Sequence, residues 1–178
     1  MSDMREKRLG HSSKLSCLIN DISTQRQTER IIVFSSWTRT LHIVACLLES
    51  RGIPVLQING SVLSRQRDKI IASFEKAQNN VLLMTLGTGA VGLNLTIADR
   101  VHIIEPQWNL SIEEQAIGCV LRLRQRKTVY VTRYIVKDSI EYVRDKQLRK
   151  LKLAEVGWSG QSKEMQKTLD LLSTVGQQ

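Results

Sequence analysis

Apolar and polar positions along this chain change period again and again. Short apolar runs alternate with stretches in which apolar residues return every three or four positions. The short runs predict strands at Ile31–Ser35 (IIVFS), Val55–Ile58, Val81–Thr85, Arg100–Ile104 and Val129–Val136. The longer period predicts helices between them. Ser13–Gln27 puts Leu15, Leu18, Ile19 and Ile22 on one face, and Thr38–Ser50 does the same with Leu41, Val44, Ala45 and Leu48. Gly52 and Pro54 stop the second of these, and Ser64 is expected to cap a third over Ser64–Ala77, followed by a turn at Asn79-Asn80. Further helices are expected over Ile112–Leu123 and from Ser139 to about Val156. Strand and helix in alternation predict an α/β fold of three layers, a mostly parallel sheet with helices on both faces. The domain is expected over 13–158, between a flexible segment at 1–12 and a polar tail at 159–178.

Composition narrows the class. A length of 178 residues suits one domain with a real core. The formal charge of +9, from 26 Lys+Arg against 17 Asp+Glu, favours a polyanionic partner such as nucleic acid, with a merely basic surface as the plainer reading. Cys17, Cys46 and Cys119 are odd in number and form no C-x-x-C pair, which argues against a disulfide framework or a zinc site and suits a reducing compartment. The opening MSDMREKRLGHSSK has no apolar core of a signal peptide, and the apolar runs are far too short to span a membrane. No metal site and no membrane partner are expected. The basic run Arg122–Lys127 has the composition of a nuclear signal, but it lies at the end of a predicted helix where another role is open to it.

Right-handed crossovers place the loops after parallel strands on one edge of the sheet, where such folds bind ligands. Those loops are Ser35-Ser36-Trp37, Asn59-Gly60-Ser61, Thr85-Leu-Gly-Thr-Gly89 and Glu105-Pro-Gln-Trp-Asn109, rich in the hydroxyls, amides and glycines that suit phosphate contact. Gly87, Gly89 and Gly92 follow a strand, either as a cradle for an anion or as a tight connection. Trp108 could stack on a sugar or base edge, or fill a hydrophobic hole. On a helix, Gln115, Cys119 and Arg122 share a face, at i, i+4 and i+7. Such a face could orient a water and neutralise charge on a nucleotide held elsewhere; alternatively, Arg122 and Arg124 are solvated cations favoured by the helix dipole. No G-x-x-x-x-G-K-[ST] loop occurs, so these residues alone supply no phosphate cradle.

The order VFSSW, INGSVLSRQRDKIIASF, LLMTLGTGAVGLNLTIADRVHIIEPQWNLSIEEQAI, LRLRQRKTVYVTRYIVKDSIE resembles the second RecA-like lobe of the SWI/SNF-type ATPases, superfamily-two helicase relatives that translocate on double-stranded DNA. SSKLSCLI and FSSWTRTLHIV look closest to the branch with the helicase-like transcription factor and the post-replication-repair translocases. The resemblance covers Ser13 to Trp158 and implies a RecA-like fold, a nuclear protein, and a first RecA-like lobe as partner. ATP and Mg2+ are implied only with that lobe present. It implies contact with the phosphates of duplex DNA by Ser35, Ser36, Gly60, Ser61, Arg65 or Arg67, and Thr85, with Trp108 and Asn109 facing the DNA cleft. Gly89, Gly92 and Asn94 match the motif coupling DNA contact to ATP, while Gln115 and Arg122 match residues that face the ATP phosphates and carry the catalytic part.

Departures from the family pattern cluster at the catalytic edge. Against Gln-Ala-x-Asp-Arg-x-x-Arg-x-Gly-Gln, this chain has Gly118 for the acid, Cys119 for the first finger arginine, Leu121 for a histidine and Arg124 for a glycine. Gly87 replaces a lysine, Ala90 a glycine, Glu105 an aspartate and Leu110 a proline. Loss of a finger arginine costs about 10³ or more in phosphoryl-transfer rate. Two functions therefore stand side by side: half of a DNA-dependent ATPase, inactive alone, or a binding module for DNA or protein without ATP turnover. On the first, Cys119→Arg in a two-lobe protein is expected to raise hydrolysis.

Overall fold

A computed structural model describes residues 12–26, 29–76, 81–89, 93–107, 109–121, 128–140 and 142. The elements are α1 (Ser13–Gln25), β1 (Ile31–Ser35), α2 (Thr38–Glu49), β2 (Val55–Ile58), α3 (Ser64–Lys76), β3 (Val81–Thr85), α4 (Leu86–Gly89), β4 (Arg100–Ile103), α5 (Leu110–Gly118) and β5 (Tyr130–Arg133). The five strands form one all-parallel sheet in the order β2-β3-β1-β4-β5.

The alternation within β1 and β3 builds the layers. Ile31, Val33, Val81 and Leu83 point to one face, where Leu18, Ile19 and Ile22 of α1 meet Leu41, Val44, Ala45 and Leu48 of α2. Ile32, Phe34, Leu82 and Met84 point to the other, against Phe74 of α3, Leu86 of α4 and Ala116 of α5. Both faces of the sheet are thus covered, as the near-continuous apolar runs require. The amino ends of the strands are tied by charge. Arg100 donates to both carboxylate oxygens of Glu29, at 2.6 and 3.0 Å, and lies 4.3 Å over the Tyr130 ring.

One polar residue sits inside this sheet. His102 of β4 is fully buried beneath α1. Its Nδ1 lies 2.8 Å from the Tyr134 hydroxyl, which donates to Asp21 Oδ2 at 2.6 Å. The tyrosine oxygen therefore accepts from His102, which fixes the Nδ1–H tautomer of the neutral ring. Nε2 then needs a donor, and the Gln25 amide 3.1 Å away supplies one after a half-turn about its last bond. Burial is the main cause that lowers the His102 pKa to about 4, and burial with the Asp21 hydrogen bond drives the Tyr134 phenol well above its ordinary value.

Several boundaries differ from the sequence reading. α5 starts two residues earlier and ends at Gly118 rather than Leu123. Its C-cap, Cys119, gives its carbonyl to Leu95 N–H at 2.9 Å, a tertiary bond that takes the chain out of the helical ladder. β5 is four residues long, not eight. Ser64 is the first residue of α3 rather than the residue before it. Residues 1–11 of the expected segment 1–12, the tail 159–178 and the helix beyond Tyr142 lie outside the described residues. Residues from Val136 belong to a second compact unit, whose described part is a turn: Ser139 Oγ donates to Val136 O at 2.6 Å, and Asp138 has a φ of 60°.

Candidate functional site

The sheet register lines up one edge. Ser35 pairs with Thr85, Phe34 with Ile103, and Ile103 with Arg133, so the loops after β1, β3, β4 and β5 leave from one row. After β1 the chain turns to α2 on one face, and after the neighbouring β4 it turns to α5 on the other. Two adjacent strands whose chains part to opposite faces open a crevice at their carboxyl ends, the usual ligand position of such sheets.

A polar network spans that crevice. The Ser35 hydroxyl donates to Glu105 Oε2 at 2.8 Å and accepts from Trp37 N–H at 3.0 Å. Glu105 Oε2 also takes the Ser36 N–H at 3.1 Å. The Gln107 side chain donates to Ser36 Oγ and to the Glu105 carbonyl, while the Gln107 N–H donates to Glu113 Oε1 at 2.6 Å. Glu113 is 1% exposed, and its second oxygen accepts from Arg133 Nε at 2.8 Å. Neighbouring loops add Thr85, whose hydroxyl shares a 2.6 Å bond with buried Thr88, and Ser61, which donates from N–H and hydroxyl to Asn59 Oδ1 at 3.1 and 2.6 Å. Trp37, 65% exposed, and Leu63, 69% exposed, stand on the same loops.

The expected site residues divide by placement. Ser36, Gly60, Ser61 and Thr85 lie on the edge with polar or open surface. Ser35 belongs to the same network but is fully buried, so its hydroxyl holds Glu105 instead of meeting a ligand. Asn109 caps α5, accepting from Ser111 N–H at 3.0 Å, and Asn94 accepts from the Thr96 hydroxyl at 3.1 Å. Arg65 is exposed in the first turn of α3, whereas Arg67 turns its Nε back onto Val62 O at 2.8 Å. Gly89 ends α4, so the glycine-rich turn begins as a helical turn. Gln115 is exposed on α5, and Cys119, 5% exposed, points its thiol at the Gln115 carbonyl, 3.4 Å away. Of the expected Gln115–Cys119–Arg122 face, Gln115 lies within α5 and Cys119 is its C-cap. Gly92, Trp108 and Arg122 lie outside the described residues.

Sequence reasoning missed Gln107, Glu113 and Arg133, which fix the crevice. The available signal was an acid in the first turn of a helix, matched with a basic residue at the end of the next strand.

Comparison with known proteins agrees with this architecture. The family model for the helicase conserved C-terminal domain matches residues 13–124. The chain is 41% identical to DNA repair protein RAD5B of Arabidopsis thaliana over 73% of its own length and 10% of the relative's. It is 34% identical to DNA repair protein RAD5 of Yarrowia lipolytica over 98% of its own length and 18% of the relative's. The crystal structure of the C-terminal part of the Fun30 ATPase domain superposes with a TM-score of 0.72 at 27% identity, covering 76% of this chain and 45% of that one. The chain thus spans a small part of the length of these repair proteins. With a parallel three-layer sheet, motifs in family order and a family match over most of the domain, the chain belongs to the helicase conserved C-terminal domain family, as a C-terminal helicase lobe of the SWI/SNF type.

Proposed function

We propose that this chain is the C-terminal lobe of an ATP-dependent double-stranded DNA translocase of the repair type, working in the nucleus. The observation that carries this reading is the polar edge at the carboxyl ends of the strands, where Ser36, Ser61 and Thr85 stand on neighbouring loops of a basic chain. Hydroxyls and main-chain groups at that edge suit phosphate, and phosphate contacts position a protein without reading sequence. This sequence has no phosphate loop of the G-x-x-x-x-G-K-[ST] kind. A first lobe would bring ATP and Mg2+, and this chain would add Gln115 and Arg122 from across the cleft. Motion of the two lobes against each other would then step the gripping loops along the duplex.

The test is duplex binding by this chain over a salt series, followed by ATP turnover after mixing with a separately made first lobe of a Rad5-type relative. Weak binding that ignores sequence and falls steeply with salt is expected, with turnover only when both lobes and DNA are present. Failure to bind a duplex at low salt overturns the reading. A second reading, a DNA-binding module without turnover, is favoured by Cys119 at the position of a finger arginine; salt-sensitive binding with no ATP turnover under any pairing would establish it.

A further inference from the structure

Gln107 sits in the loop after β4, with its backbone N–H on the Glu113 carboxylate and its side chain on the Glu105 main-chain carbonyl. Its side-chain nitrogen faces the Glu105 carbonyl at 3.1 Å. A carbonyl only accepts, so this end of the amide is the NH2 group and not the oxygen. The same NH2 group faces Ser36 Oγ, which therefore accepts. A hydroxyl that accepts from one neighbour keeps its single proton for another. The Ser36 N–H is already taken by Glu105 Oε2 at 3.1 Å, so the donor that Ser36 can offer is its hydroxyl. A phosphate oxygen only accepts, so the hydroxyl serves it in this polarity alone. Gln107 is itself held in place. Its N–H is fixed by Glu113 at 2.6 Å, and that buried carboxylate is pinned by Arg133 at 2.8 Å.

We propose that Gln107 is a positioning residue that sets the Ser36 hydroxyl as a hydrogen-bond donor toward the phosphate backbone of DNA. The proposal rests on the DNA-binding reading of this edge. Anisotropy of a fluorescein-labelled duplex with the whole chain, across a salt series, tests it. Ser36→Ala should weaken binding about tenfold, as for a hydrogen bond to a charged group, and Gln107→Met about fivefold on the same scale. Neither removes a cation, so the dependence of log affinity on log salt should keep its slope. In the Ser36→Ala background, Gln107→Met should have no further effect, because its action passes through Ser36. Gln107→Leu, which likewise removes the amide without adding charge, serves in place of Gln107→Met if that variant does not fold. Wild-type affinity in a folded Gln107 variant, or equal losses with and without Ser36, overturns the proposal while leaving the DNA-binding reading intact. Absence of salt-dependent binding by the wild-type chain overturns both.

Discussion

At the scale of single residues, packing separates what the fold needs from what a ligand needs. A Cβ built at Gly60 meets no atom within 4 Å, and the residue has no positive φ, so the protein itself does not call for glycine there. A ligand approaching the main chain would. Gly60→Ala is therefore expected to melt within about 2 °C of wild type, since surface changes of this kind move stability by only about ±0.5 kcal/mol, yet to weaken duplex binding severalfold in the same titration. Cys119 gives the opposite case. The sequence argument asks for an arginine here to restore hydrolysis, but the site is 5% exposed, in the core cluster with Ala116 and Val120. A lone guanidinium there costs about 3 kcal/mol or more. Cys119→Arg is expected to lower the thermal midpoint of this lobe markedly by calorimetry; an unchanged midpoint would mean that the helix end repacks to expose it.

Elements were legible where their pattern was local. Ile31–Ser35, Val55–Ile58 and Val81–Thr85 are strands with the expected limits, because continuous apolar runs flanked by turn residues leave little choice. The end of α5 was not legible, since it depends on a hydrogen bond between Leu95 and Cys119, distant in sequence. Nor was the anchoring of α1. His102 in RVHII reads as an unremarkable strand residue until Asp21, Gln25 and Tyr134 are seen around it. That network makes the fold sensitive to acid. The folded state holds His102 neutral down to about pH 4, whereas an unfolded chain protonates it near 6.5. Between those values the unfolded state binds more protons, so stability falls as pH drops through this window, by a total of about 3 kcal/mol at 1.36 kcal/mol per unit. His102→Gln removes the titrating group and should flatten the dependence of the unfolding midpoint in urea between pH 7 and pH 4.5. An equally steep fall in that variant would place the acid sensitivity elsewhere.

Across the whole molecule, the charge of +9 sets the background on which the edge works. Exposed Arg65 stands at the start of α3 beside the loop that carries Ser61. Arg65→Ala is expected to reduce the slope of log affinity against log salt by about one phosphate contact, a signature that Ser36→Ala lacks. An unchanged slope would remove Arg65 from the interface. The site as a whole was half legible for a similar reason. Loops rich in Ser, Thr, Gly and Asn announced the edge, but the link from Gln107 through Glu113 to Arg133 exists only once β4, α5 and β5 lie together. The strand order has a consequence for how the chain is made. β1 pairs with β3 and β4 and never with β2, the strand that follows it. A growing chain that stops before Val81 holds two strands that are not neighbours, and its apolar runs stay uncovered. Protease resistance during synthesis should therefore arrive late and abruptly, once residues past Ile103 have left the ribosome.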